Sequence, residues 1–192
     1  MKLYLIRHGE SCTNACECHT GWLDVPLTEK GMKDALRAGR IIRPIAFDHI
    51  YSSDLRRACQ TEKLATGGAP AEETPLLREI NVGCLSGQLI SDCYDRYGEE
   101  YVENKKKSNY VPYGGENSEM FRARIAEFLH SLEGLPYENV AAFCHAGAIF
   151  MALQIVVGID LPKKSFFAAN GSVSVFEYRE GVWRVIEWNH CD

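Results

Sequence analysis

The sequence predicts an α/β protein: a three-layer α/β/α sandwich with a mostly parallel central sheet. Three observations predict it. Short apolar runs alternate with amphipathic stretches along most of the chain, the pattern of strand–helix–strand crossovers. The length of 192 residues suits a single domain over 1–192, at about 150 residues per domain. With 46% hydrophobic and 24% charged residues, the chain is an ordinary globular one and not a disordered one.

The elements follow in order. Lys2–Ile6 is a short apolar strand that ends at Arg7-His8-Gly9-Glu10. Thr28 caps a helix with Met32, Ala35, Leu36 and Gly39 on its apolar face, and Pro44 stops it. Phe47–Tyr51 is a second strand. Ser53 or Asp54 then caps a helix through Leu55, Ala58 and Ala65, which ends at Gly67-Gly68. Asn117 or Ser118 caps a third helix, with Phe121, Ile125, Phe128 and Leu132 at helical spacing. Asn139–Cys144 is a third strand, broken at His145-Ala146-Gly147, and a helix runs from about Ala148 to Val157. Ser172–Tyr178 and Val182–Trp188 alternate around Glu180-Gly181, a hairpin signal. The segment of about 81–115 fits this alternation poorly. It is polar and rich in tyrosine (Tyr94, Tyr97, Tyr101, Tyr110, Tyr113), and reads as an insertion over one edge of the sheet. Its Lys105-Lys106-Lys107 run reads as a solvated face, with steering of an anionic substrate as the alternative.

Charge and cysteine content narrow the function classes. There are 21 Lys and Arg against 26 Asp and Glu, a net charge of −5. Nucleic acid and anionic membranes need a basic footprint, so neither is expected as a partner. The apolar stretch Val140–Ile159 is interrupted by His145 and Gln154 and suits a buried strand and helix better than a membrane span. Only four apolar residues, Leu3–Ile6, precede Arg7, too few for a secretory signal. The eight cysteines are therefore expected to be mostly reduced, in the cytoplasm. Oligomeric state leaves no trace in the sequence.

Two histidines hold equivalent positions, His8 after the first strand and His145 after the strand ending at Cys144. Ligands of open α/β sheets bind outside the carboxyl ends of the strands. If those strands are neighbours, both imidazoles enter one crevice. Gly9 and Gly147 let backbone approach a ligand there. Ala146-Gly147 opens a helix whose unpaired N–H groups point the same way. Arg7 adjoins His8, and Arg57 lies in a first helical turn, leaning back toward the helix N-terminus. Two arginines, two histidines and a helix N-terminus make a pocket for a phosphoryl group.

These residues resemble the histidine phosphatase superfamily, branch 1, also called phosphoglycerate mutase-like. Six segments carry the resemblance, in order along nearly the whole chain: Arg7-His8-Gly9-Glu10-Ser11-Cys12-Thr13-Asn14, Gly21–Gly31, Ser52–Thr61, Leu77–Gly83, Pro112–Ser118 and His145-Ala146-Gly147. The resemblance implies the phosphoglycerate mutase-like fold and a role for each residue. His8 is implied as the nucleophile, becoming a phosphohistidine, with its other ring nitrogen donating to a backbone carbonyl. Arg7, Arg57 and His145 are implied to hold the phosphoryl oxygens, with Asn14 as a further donor. Glu79 is implied as the general acid and then the base. Thr20 and Gly21 sit where mutase relatives contact substrate, and Ala146 and Gly147 complete the binding set. Arg57, directly before Ala58, matches the family segment, so Arg56 is expected to be exposed. Glu10 is expected to be a structural partner, and His49, His130 and His190 structural or exposed.

The implied reaction is hydrolysis of a small phosphorylated metabolite, such as α-ribazole phosphate, or of a broad range of phosphomonoesters. The partner is that substrate or inorganic phosphate, and no cofactor or metal is expected. A cofactor-dependent phosphoglycerate mutase is the runner-up, since such enzymes share the Thr20-Gly21-Trp22 segment but are usually longer. A non-catalytic phosphate-binding relative is the third reading. Thr13 and Ala146 depart from the common family residues without removing a catalytic side chain. Cys16-Glu17-Cys18-His19 is unusual and reads as a neutral loop, with zinc binding or redox sensitivity as alternatives. Competing phosphate enzymes lack their motifs here: there is no P-loop, no Cys followed six residues later by Arg, and no Asp pair two residues apart.

Overall fold

The structure is a computed structural model describing residues 1–161 and 166–191. The elements are β1 (Lys2–Arg7), α1 (Cys12–Ala15), α2 (Glu29–Ile42), β2 (His49–Ser53), α3 (Arg56–Thr66), β3 (Glu72–Thr74), α4 (Ile90–Lys106), α5 (Ser118–Leu132), β4 (Asn139–Cys144), α6 (Ala146–Val157), β5 (Val173–Arg179) and β6 (Val182–His190). The sheet order is β3-β2-β4-β1-β5-β6. The first four strands are parallel and the β5–β6 hairpin is antiparallel, so the sheet is mostly parallel. At the hairpin tip Glu180 and Gly181 both have positive φ, as the tight primed turns require.

Period-two alternation places the sheet between two helical layers. Val140, Ala142 and Cys144 of β4 face α5 and α6 with Leu3 and Leu5 of β1. Ala141 and Phe143 face the other way, with Ile6, against Ala38 and Ile42 of α2 and Ala65 of α3. The periodic positions Phe121, Ile125, Phe128 and Leu132 of α5 are all buried. Asn117 caps that helix, its side chain accepting from the Met120 N–H at 2.8 Å. Among the described residues no helix is long and apolar enough to cross a membrane.

The structure corrects the sequence reading at four places. Met32 and Leu36 of α2 are exposed, and the buried stripe is Gly31, Asp34, Ala35, Ala38, Gly39 and Ile42. Small residues decide this. A Cβ on Gly39 would lie 2.7 Å from the Ala65 carbonyl oxygen, so only the glycine stripe lets α2 close on α3. The N-cap of α3 is Leu55, with no side-chain cap. Asp54 instead makes a two-pronged bond to Arg78, at 2.7 and 2.5 Å. α6 begins two residues earlier than expected, directly after His145. The 81–115 segment contains α4, broken at Gly98 (φ 58°, ψ −142°). It also has its own small core of Val82, Leu85, Cys93, Tyr101, Tyr110 and Tyr113.

Candidate active site

β1 and β4 lie side by side and in register, with Arg7 opposite Cys144, so the residues that follow them emerge together. The His8 N–H donates to the Cys144 carbonyl at 3.0 Å. The two imidazoles meet edge to face, with centroids 5.0 Å apart, and both are buried. The His8 Nδ1–H donates to the Gly9 carbonyl at 2.6 Å. That bond places the ring proton on Nδ1 and leaves Nε2 with its lone pair. Burial, reinforced by Arg57 and Arg7, holds the His8 pKa well below the usual histidine range. The ring is therefore neutral at neutral pH, with the lone pair of a potential nucleophile on Nε2. Gly9 has no room for a side chain, because a Cβ there would lie 2.1 Å from the Gly31 carbonyl oxygen.

Arg57 is fully buried in the first turn of α3, while Arg56 is exposed and donates its backbone N–H to Asp24. Its guanidinium donates to the Leu23 carbonyl at 3.0 Å, the Gly21 carbonyl at 2.9 Å and His145 Nδ1 at 3.2 Å. Burial lowers the Arg57 pKa to about 10, opposed by Glu79 and Asp24. Arg7 donates one guanidinium N–H to the Ala168 carbonyl, while its Nε is buried with no hydrogen-bond partner among the described residues. A partly buried cation with a buried, unused donor beside a neutral imidazole is poised to receive an anion.

His145 differs in detail from the expectation. Its Nδ1 accepts from Arg57, so its proton sits on Nε2 and donates to Ser53 Oγ at 3.0 Å. Both ring nitrogens thus have protein partners. Donation to a phosphoryl oxygen therefore requires one of these two bonds to be given up. Burial, with Arg57 next, keeps this ring neutral as well.

Glu79 faces the pair from the loop just after the single 3-10 turn, Pro75–Leu77, that follows β3. Its carboxylate accepts the Gly147 N–H at 3.0 Å and the Ile80 N–H at 2.9 Å. The N-terminal N–H of α6, expected at the anion, is therefore bound to the carboxylate. A Cβ at Gly147 would lie 2.1 Å from Glu79 Oε1, which explains the glycine. The Glu79 carbonyl accepts from Trp22 Nε1 at 2.7 Å and from Arg124 at 3.1 Å. Arg124 also binds both carboxylate oxygens of Glu116.

The remaining predicted residues are positioned as follows. The Asn14 carbonyl oxygen accepts from the Ser11 N–H at 3.2 Å and from Asn170 at 3.4 Å, which leaves its NH2 group as a donor. Asn170 also donates to the His8 carbonyl at 3.1 Å, tying Asn14 to the nucleophile's backbone. Thr20 bonds the Thr13 hydroxyl at 2.7 Å. Gly21, at φ +48°, supplies a carbonyl to Arg57. Glu10 bonds Thr28 and Lys30 at 2.9 Å each, as a structural partner would. Ser53, Trp22 and Arg124 are absent from the predicted set. Ser53 and Trp22 lie within the segments that carry the resemblance, but each works through a partner distant in sequence, as does Arg124, so their contacts do not show in the local pattern.

Beside Glu79 opens a cavity of about 740 Å³, lined by Glu79, Ala146 and Gly147 and walled by Phe121, Phe150 and Met151. Lys106 and Lys107 stand at its rim, Lys106 paired with Glu103 at 2.7 Å. The Lys run is thus partly solvated and partly turned toward the cavity.

Two buried imidazoles, one buried and one partly buried arginine and a facing carboxylate make a centre that suits a phosphoryl group. The chain belongs to the histidine phosphatase superfamily, branch 1, whose family profile matches residues 3–191. Members of this kind are phosphatases or mutases. Among curated relatives, the 2,3-bisphosphoglycerate-dependent phosphoglycerate mutase of Streptococcus gordonii is 38% identical over 185 residues, covering 90% of this chain and 80% of the relative. That of Parvibaculum lavamentivorans is 37% identical over 191 residues, covering 91% and 89%. Among solved structures, the α-ribazole phosphatase from Shigella flexneri superposes with a TM-score of 0.88 at 25% identity, covering 99% of this chain and 96% of that one. A phosphoglycerate mutase from Bacillus anthracis superposes at 0.84, also at 25% identity, covering 98% and 92%.

Proposed function

We propose that this protein hydrolyses small phosphomonoesters through a phosphohistidine at His8. The carrying observation is the His8 ring: proton fixed on Nδ1, lone pair on Nε2, with the buried Arg57 and the partly buried Arg7 beside it. In the first step Nε2 attacks phosphorus, the ester P–O bond breaks, and Glu79 gives a proton to the leaving oxygen. Arg7, Arg57, Asn14 and His145 hold the phosphoryl oxygens while charge develops on them. In the second step Glu79 takes a proton from water, the resulting hydroxide attacks phosphorus, and the P–N bond breaks. Phosphate leaves, and Glu79 holds its proton again. The arginines supply the charge stabilisation, so the reading needs no metal.

The cavity favours water as the acceptor. At about 740 Å³ it is far larger than a three-carbon acid, and a ligand of that size would leave it open to solvent. Its apolar wall suits a bulky leaving group, and an α-ribazole phosphate-type ester, suggested by the name of the Shigella flexneri neighbour, fits that description. The mutase reading draws support from the names of the curated relatives. The reading places the protein in the cytoplasm, where phosphorylated metabolites and reduced thiols occur together.

Trapping phosphate on the protein tests the chemistry. Label from an aryl phosphate should be acid-labile, map to His8, and vanish in His8→Ala; label elsewhere, or none, overturns the mechanism. A panel of phosphoglycerates, sugar phosphates, nucleotides and α-ribazole phosphate then separates release to water from transfer. Activity is expected to survive EDTA, and a lasting loss on chelation would count against the metal-free reading.

A further inference from the structure

The Cys16-Glu17-Cys18-His19 loop takes no part in the chemistry above, and the structure divides it in two. His19 turns away from the thiols and joins the tyrosine cluster, with its Nε2 bonded to the Tyr101 hydroxyl at 2.5 Å. Among the described residues no group of three or more His, Cys, Asp or Glu side chains could hold a metal ion, so the zinc alternative lacks a third donor. The two thiols face each other instead, with 2.9 Å between their sulfurs. Glu17 between them adopts a left-handed conformation (φ 54°), which turns both thiols to one side. Cys16 is exposed and Cys18 partly so, within reach of a small molecule. The bond to Cys16 is the main cause that pushes the Cys18 thiol up to about 11.

We propose that Cys16 and Cys18 form a reversible dithiol site that closes to a disulfide by exchange with a small-molecule disulfide. The Cys16 thiolate attacks one sulfur of the external disulfide; that S–S bond breaks and one thiolate leaves. Cys18 releases its proton to solvent and attacks the Cys16 sulfur, and the second external thiolate leaves. The pair is oxidised by two electrons, and the external disulfide is reduced by two to a pair of thiols.

The site lies between two elements that matter. Asn14 stands two residues before Cys16, at the end of α1. On the other side the loop is sewn to the segment leading into α4: Ile90 N–H to the Glu17 carbonyl at 3.2 Å, His19 N–H to the Gln88 carbonyl at 2.9 Å, and Gly87 N–H to the His19 carbonyl at 2.7 Å. A covalent bridge between Cys16, the C-cap of α1, and Cys18, which pairs with Leu89 of that segment, stiffens the link between the two and strains the placement of Asn14 beside Asn170 and the His8 carbonyl. This consequence rests on the hydrolase reading; the bridge itself does not.

Reduced full-length protein treated with oxidised glutathione, alkylated and digested with trypsin gives the test. The peptide spanning residues 8–30 is expected to carry a Cys16–Cys18 bridge with Cys12 alkylated, and dithiothreitol should reverse it. Cys18→Ser should stop at a glutathione adduct on Cys16. A bridge through Cys12, or stable adducts on both thiols with no bridge, overturns the site. On the same samples, KM for an aryl phosphate is expected to rise about two- to tenfold, the weakening of one hydrogen bond to the anion, with kcat less affected. The Cys16→Ser/Cys18→Ser double variant should not respond. A formed bridge with unchanged KM overturns the coupling to Asn14. A formed bridge on a protein that hydrolyses no phosphomonoester would sink the hydrolase reading and leave the dithiol site standing.

Discussion

The strand ends that carry His8 and His145 and the 81–115 segment beside them are built on different terms. The first sits on paired parallel strands. Its two imidazoles are buried, and their protons are assigned by hydrogen bonds: His8 to the Gly9 carbonyl at 2.6 Å, and His145 between Arg57 and Ser53. The second is a helix broken at Gly98, closed on a small cluster of tyrosines around Tyr101. A rigid sheet edge can hold a nucleophile to within fractions of an ångström, which phosphoryl transfer requires. A separately packed segment can change its lining without disturbing that edge. The strand ends and the 81–115 segment thus rest on different cores, and the proposed function divides chemistry and selectivity between them.

If that division is right, variants should sort accordingly. The largest effect is expected at the junction itself. Glu79→Gln keeps the shape but cannot give a proton, and kcat should fall about a hundred- to ten-thousandfold for alkyl phosphates. For an aryl phosphate with a good leaving group the loss should be much smaller in the burst of phosphoenzyme formation; equal losses for both would remove Glu79 as the acid. Next comes Gly147→Ala. Its Cβ would meet Glu79 Oε1 at 2.1 Å, so the carboxylate must move, and kcat/KM is expected to drop about tenfold to a hundredfold with folding preserved. Steady-state kinetics beside a thermal melt would check it, and unaltered kinetics would mean that Glu79 is not held where it acts.

Changes within the tyrosine cluster should act on stability and spare the phosphoenzyme. His19 is held at about 4, against an ordinary 6.5, by burial first and Lys105 second. The folded state keeps this ring neutral, while the unfolded state protonates it below pH 6.5. Its contribution is therefore complete above pH 6.5 and is lost as pH falls toward 4, on the order of 3 kcal/mol. Denaturation curves from pH 7 to 4.5 should show this acid limb, and His19→Gln should flatten it; an unchanged slope would refute the assignment. The smallest effect is expected for Tyr101→Phe. It removes the hydroxyl that His19 meets and should cost about 1–3 kcal/mol of stability, leaving kcat for an aryl phosphate near that of the parent.

Much of this was legible because strand ends are local features. An apolar run halted by Arg7-His8-Gly9, and another halted by His145-Ala146-Gly147, mark two carboxyl edges whatever surrounds them. The α5 periodicity and the Glu180-Gly181 turn were legible for the same reason: each is set by residues a few positions apart. The face of α2 was not legible. Met32 and Leu36 look like core residues, and only the approach of Gly39 to the Ala65 backbone shows why they point outward. α4 was hidden because its tyrosines pack on one another instead of on the sheet.

Residue types, their order and their places at the strand ends were settled by the amino-acid sequence alone: which imidazoles, guanidinium groups and carboxylate enter the crevice. Tertiary structure alone decided where each proton and lone pair goes. It turned the Gly147 N–H to Glu79, engaged both nitrogens of His145 between Arg57 and Ser53, and left Arg7 Nε without a partner among the described residues. The reason is distance along the chain. Those partners lie tens of residues apart, and hydrogen bonds of about 3 Å between them exist only after the layers have packed.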